Sequence, residues 1–135
     1  MVHEIESRIR GAYQLAIRVM ATPADTNGSG HIFGGWLMSQ VDIAGSTVAV
    51  QMARGRVVTA AVNSFQFLGP VFVGDLVSCY AEVTKTGRTS IRVDVEALAE
   101  RGSDPASVHR VAEATLTYVA VDENSRPRRL SDLSS

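Results

Sequence analysis

Between Tyr13 and Val19 apolar side chains occupy every second position, with Tyr13, Leu15, Ile17 and Val19 alternating with Gln14, Ala16 and Arg18. A period of two turns one face of an extended chain to a core and the other to water, so a half-buried strand is predicted up to about Met20. Residues 21–30, with Pro23, Asn27, Gly28 and Gly30, read as a turn or loop. From 32 to 53 the period changes. Leu37, Val41, Ala44, Val48 and Met52 recur at steps of three and four, with Met38, Gly45 and Ala49 beside them. That spacing predicts a long helix buried along one stripe, with Gly55 as its C-terminal stop.

After Gly55 the chain is strand-like. Residues 57–68 are rich in Val, Thr and Phe and stop at Gly69-Pro70, and residues 76–85 follow the turn Val73-Gly74-Asp75. Residues 90–100 place Ile91, Val93, Val95, Ala97 and Ala99 on one face and Arg92, Asp94, Glu96 and Glu100 on the other, so one face is expected to be wet. A short turn at Gly87-Arg88 and a longer polar loop at 101–107 lead to a last strand over 108–121, and residues 122–135 have the composition of a polar, disordered tail. One helix among five strands makes a single α+β domain spanning 1–135. The helix lies most economically across one face of a mostly antiparallel sheet, and the sheet edges left open call for a dimer.

Composition narrows the function more than the fold. Forty-five per cent hydrophobic and 20% charged residues in 135 suit one globular core, and a formal net charge of -1 with interspersed signs gives no field for nucleic acid. Arg126, Arg128 and Arg129 near the end leave room for a local anion site. The single cysteine, Cys79, lies in an apolar run and reads as a buried thiol in a reducing cytoplasm. No stretch has the pattern of a signal peptide or a membrane span, so the glycosylation-type triplet Asn27-Gly28-Ser29 is expected to be accidental.

Candidate chemistry concentrates in 25–45, DTNGSGHIFGGWLMSQVDIAG, where a polar turn runs into a glycine pair and then into an apolar helix carrying one acid, Asp42. An acid in an apolar helix needs water, a partner or a raised pKa, and each also prepares a base. Ser39, Ser46, Gly35 and Ala49 are its small neighbours, which leave space for a ligand; alternatively Asp42 joins Gln40, Ser46, Thr47 and Gln51 on a solvated face. Gly34 and Gly35 stand where a helix has unpaired amides and a dipole favouring negative charge, the makings of an oxyanion hole. Gly34 and Asp42 are about 12 Å apart along a helix, so a thioester sulfur or a water would have to fill the gap. Asn27 fits a turn residue in a left-handed conformation as readily as a functional one. The glycines lack the Lys-Ser/Thr of a phosphate loop, three scattered histidines lack metal-ligand spacing, His31 fits a cap or surface residue better than a base, and Ser39 and Ser46 have no histidine beside them. No metal or cofactor is expected.

These segments resemble the hotdog-fold acyl-CoA thioesterases, in particular the short YciA-like group related to the brain-type acyl-CoA hydrolases. The resemblance spans about 13–130 and rests on PADTN at 23–27, IFGGWLMSQVD at 32–42, GRVVT at 55–59, VGD at 73–75 and YVAVD at 118–122. It implies a sheet wrapped around a central helix, a working dimer that assembles further into a tetramer or hexamer, and hydrolysis of acyl-CoA to a free acid and coenzyme A. It implies that Asp42 activates water or attacks as nucleophile, that Asn27 assists from the partner subunit, and that the Gly34 amide binds the thioester oxygen, with Phe33 and Gly35 at the substrate. For the anionic coenzyme A the turn Gly87-Arg88-Thr89-Ser90 is the best candidate and Arg56 the second, since an arginine suits a phosphate. Two departures bear on substrate preference: the family commonly reads DTNANGDIFGG where this chain has Ser29 and His31, and it often has a basic residue where Gly69 stands. Two rivals are a hydroxyacyl-thioester dehydratase, for which only His31 could serve, and a non-catalytic acyl-CoA-binding module.

Overall fold

The computed structural model describes residues 13–102, 104 and 106–130. Strand β1 (Gln14–Met20) is followed by a 3-10 turn (Pro23–Asp25), helix α1 (Gly34–Ala53), and strands β2 (Val57–Phe67), β3 (Leu76–Thr86), β4 (Ser90–Glu100) and β5 (Val108–Ala120). The strands form one antiparallel sheet in the order β1-β3-β4-β5-β2. β1 and β2, adjacent in sequence among the strands, thus stand at opposite edges, and α1 crosses the sheet's inner face between them. No helix among the described residues is long and apolar enough to cross a membrane.

The helix buries Leu37, Val41, Ala44, Gly45, Val48, Ala49 and Ala53. Four of the seven are alanine or glycine, so the backbone approaches the sheet closely, over Val77, Cys79, Ala81, Ile91, Val93, Val95, Leu116 and Tyr118. The expected stripe is corrected at two methionines. Met38 is 39% and Met52 47% exposed, because the buried face is narrow and small-residue-lined and the long side chains fall to its margins. The helix stop is also moved by one residue: Arg54 is the left-handed C-cap, its amide donating to the Val50 carbonyl, and Gly55 follows it.

β4 alternates as the sequence suggests, with Ile91, Val93, Val95, Ala97 and Ala99 buried. Its outer face is polar at Glu96, which holds Arg110 in a two-toothed ion pair, but beyond a bulge Leu98 is buried there against Tyr80. The end of the chain corrects the expectation of a disordered tail over residues 122–130. Val121 and Pro127 form a bridge around a turn, and the Arg128 guanidinium donates to the carbonyls of Val121 and Ala53, tying the segment to the end of α1. Residues 131–135 and the N-terminal residues 1–12 lie outside the described chain.

β2 departs furthest from simple alternation. Its pairing with β5 shifts register between Thr59 and Ala61 and again between Val62 and Ser64. Each bulge reverses which parity faces inward, so the residues opposite the buried β5 positions Tyr118, Leu116, Ala114 and Ala112 are Thr59, Val62, Phe65 and Phe67. The helix covers this stretch only in part, its first residue Gly34 lying against the Phe67 ring: Val62 is 45% and Phe67 54% exposed although both are on the inner face of the sheet. An edge strand with unpaired backbone and bare apolar side chains is the surface this fold leaves unfinished.

Candidate active site

Asp42 lies on the side of α1 that faces β2 and β5, not on a solvated face with Gln40 and Gln51. Its Oδ1 accepts hydrogen bonds from Thr59 Oγ1 at 2.8 Å and from the Tyr118 hydroxyl at 3.0 Å, and the same hydroxyl lies 2.8 Å from the Asp42 main-chain oxygen. Thr59 and Tyr118 are direct cross-strand partners, so their side chains leave the sheet side by side. Tyr118 is fully buried, and burial first, then the Asp42 charge, pushes its phenol far above the ordinary value, so it stays a donor. Gly45, one turn beyond Asp42, makes the contact possible: a Cβ there would lie 3.0 Å from Tyr118 Cζ and closer still to its oxygen. Ser39 and Ser46 turn their hydroxyls back onto the carbonyls of Gly35 and Ile43 and take no part.

The glycine pair opens α1. Its N-cap, Phe33, supplies no side-chain acceptor, and among the described residues the Gly34 and Gly35 amides have no hydrogen-bond partner. The two glycines differ in surroundings. A Cβ on Gly34 would meet the Phe67 ring at 3.1 Å, whereas Gly35 faces open space. Asn27 has no left-handed backbone; that conformation is taken by Gly30, at φ +89°. The Asn27 side-chain oxygen instead closes the loop, accepting from the Ser29 amide and hydroxyl and the His31 amide, which leaves its NH2 group free to donate outward. His31 is exposed, joined to Phe72 by a backbone bridge and an edge-to-face ring contact at 4.9 Å. Phe72 is in turn covered by Arg101, whose guanidinium grips the buried Asp75 with two hydrogen bonds.

A groove of about 400 Å³ brings Asn27, His31, Phe33 and Gly34 together with Leu37, Phe67 and Pro70. Asp42 is not among its lining residues. One chain therefore joins two of the three candidate catalytic positions and holds the third elsewhere. The coenzyme A candidates gather at a different place. Arg56, at the start of β2, donates to Ser125, and the turn carrying Arg88, Thr89 and Ser90 is held by the Leu130 amide on the Arg88 carbonyl and the Ala120 amide on the Thr89 carbonyl. Arg88 is exposed. Cys79 lies apart from all of these, and burial pushes its thiol up to about 12. Thr59 and Tyr118 are the residues that sequence reasoning missed. Thr59 ends the GRVVT segment and Tyr118 opens YVAVD, but nothing in either segment says that the two stand opposite one another.

Residues 29–106 match the family model described as thioesterase superfamily. The acyl-CoA thioester hydrolase YciA of Salmonella typhimurium is 49% identical over 119 residues, covering 87% of this chain and 90% of the relative. A hexameric thioesterase from Yersinia pestis superposes with a TM-score of 0.83 at 49% identity, over 90% of this chain and 96% of the other. An acyl-CoA hydrolase from Staphylococcus aureus, solved with butyryl coenzyme A, coenzyme A and coenzyme A disulfide, superposes with a TM-score of 0.78 at 29% identity, over 90% of this chain and 73% of the other. That enzyme has also been solved as alanine mutants of an asparagine and of an aspartate fifteen residues further along its chain.

Proposed function

The chain belongs to the thioesterase superfamily and is an acyl-CoA thioester hydrolase, and from that premise we propose that its reaction centre is assembled from Asn27 and Gly34 of one copy and Asp42 of a second. The observation that carries this reading is the separation within one chain. The groove with the free amides lacks an acid, while the acid sits, fixed by two hydroxyls, toward the edge strand that the fold leaves uncovered. A twofold pairing of two such edges offers each groove the other copy's Asp42. The fifteen residues from Asn27 to Asp42 equal the spacing of the asparagine and aspartate replaced in the S. aureus enzyme, which supports the assignment of these two positions.

The acyl carbonyl oxygen is received by the Gly34 amide at the start of α1, where the helix dipole favours the negative charge that grows there. Phe67 against Gly34 keeps the groove apolar on one side, and Phe33 and the open flank of Gly35 border the thioester. The outward NH2 of Asn27 orients the water, and Asp42 takes the water's proton as its oxygen attacks the carbonyl carbon. Collapse of the tetrahedral species breaks the carbon–sulfur bond, and the proton passes to the leaving thiolate. Arg88, with Thr89 and Ser90 on its turn, and Arg56 beside it take the phosphates of coenzyme A.

The test is a steady-state screen from acetyl- to palmitoyl-CoA with Asp42→Asn beside the parent protein. Loss of a general base is expected to lower kcat by roughly 10²- to 10⁴-fold on every accepted chain length, with oligomeric state and folding intact. Turnover unchanged by Asp42→Asn would overturn the mechanism.

A further inference from the structure

We propose that the Thr59–Tyr118 cross-strand pair fixes which oxygen of Asp42 reacts: Oδ1 is anchored, and Oδ2 is the oxygen that takes the proton from water. This rests on the role of Asp42 proposed above and adds to it two positioning residues and a division of labour within the carboxylate. Three facts converge. Oδ1 accepts from Thr59 Oγ1 and Tyr118 Oη, which fills the acceptor directions of a carboxylate oxygen, while among the described residues no group donates to Oδ2. Thr59 and Tyr118 stand directly opposite one another in the last pair before the first bulge of β2, so both hydroxyls leave the sheet side by side toward one atom. Gly45 carries no Cβ to keep the phenol away, and the phenol's one proton is shared between Oδ1 and the nearer Asp42 main-chain oxygen, which ties it to the helix turn that carries the carboxylate.

The arrangement has a chemical consequence. In the hydrolytic step an O–H bond of water breaks and its proton moves to Oδ2 while the water oxygen forms the new bond to the acyl carbon; the carbonyl electron pair moves onto its oxygen. When the carbon–sulfur bond breaks, the pair goes to sulfur and Oδ2 returns the proton. Oδ1 keeps both hydrogen bonds throughout, so the carboxylate does not rotate between the two steps, and its geometry needs no rearrangement as the proton leaves. Tyr118 is the ionisable side chain in hydrogen-bonding contact with Asp42 among the described residues, and Thr59 contributes a donor without a charge.

The experiment compares Thr59→Val, Thr59→Ser and Tyr118→Phe with the parent protein by kcat and KM on one good acyl-CoA substrate. Thr59→Val and Tyr118→Phe keep the shape of the side chain and remove a donor. Each is expected to lower kcat roughly ten- to a hundredfold with KM little changed, since a carboxylate no longer anchored spends less time in the reactive orientation. Thr59→Ser restores the hydroxyl and is expected to restore most of kcat. A parental kcat in Thr59→Val, or a loss in Thr59→Ser as large as in Thr59→Val, would overturn the proposal. If Asp42→Asn is inactive while Thr59→Val is unaffected, the oxygen assignment fails and the role of Asp42 stands; if Asp42→Asn turns over normally, the mechanism itself fails.

Discussion

Replacing Gly45 by alanine sets two physical effects of opposite sign against each other. In the interior of a helix, glycine to alanine ordinarily stabilises by about 1 kcal/mol. Here the added methyl would lie 3.0 Å from Tyr118 Cζ and 3.1 Å from Cε2, and nearer still to the hydroxyl oxygen. The ring has nowhere to go, because Tyr118 is fully buried in the β5 layer beneath α1. Overpacking of that kind costs about 1–3 kcal/mol, and pushing the phenol off the Asp42 carbonyl loses a buried hydrogen bond worth about 1 kcal/mol. With the propensity gain subtracted, Gly45→Ala is expected to destabilise by about 1–3 kcal/mol, or roughly 4 °C in melting temperature per kcal/mol. The measurement is a urea titration or thermal melt at fixed protein concentration, since assembly contributes to stability. Adding Tyr118→Phe removes the oxygen in the way and should recover part of the loss, a coupling that a double-mutant cycle reads directly. A Gly45→Ala protein more stable than the parent, with full activity, would refute the packing argument and with it the claim that this glycine exists to admit Tyr118.

Mixed oligomers of Asn27→Ala and Asp42→Asn chains are expected to regain activity that neither has alone. Random pairing makes half the dimers mixed, each with one intact site, so recovery should approach roughly a quarter of the parent activity; none would argue for sites built within single chains. Arg101→Ala leaves the Asp75 carboxylate, 1% exposed, without its cation, and is expected to cost about 3 kcal/mol in a urea melt; a change below 1 kcal/mol would show the pair to be dispensable. Cys79, its thiol pushed up to about 12 by burial, should ignore a disulfide reagent at pH 8 in the folded protein and react once denatured. Because that shift is upward, its contribution to stability is complete below the ordinary thiol value and is lost as pH climbs from about 9 toward 12, which an alkaline titration of the urea midpoint would reveal.

Periodicity alone located most of the framework. The strand at Gln14–Met20, the long helix and the four later strands appear where alternation and three-four spacing put them, and β4 runs over Ser90–Glu100 as read. The misplacements are local. Arg54, not Gly55, caps the helix, because a left-handed turn tolerates an arginine once its amide is bonded. Residues 122–130 look polar enough for disorder yet are held, because Arg128 can satisfy the last carbonyls of α1 and a scan along the chain does not see that helix end beside it. Ser39 and Ser46 looked like company for Asp42, but hydroxyls in a helix find their own carbonyls first.

The sequence by itself marked Asp42 and Gly34 as candidates, since an acid in an apolar helix and a bare helix start stand out from their neighbours along the chain, while Asn27, one asparagine in a glycine-rich turn, gained its candidacy from the family resemblance. What only the tertiary structure decided is how they are distributed. It set Asn27 and Gly34 in one groove and Asp42 beyond it, and it brought Thr59 and Tyr118, 59 positions apart in the chain, onto one carboxylate oxygen. The reason is register. The pairing of β2 with β5 sets Thr59 opposite Tyr118 and shifts at two later bulges, and how two strands align is something neither strand's own pattern records.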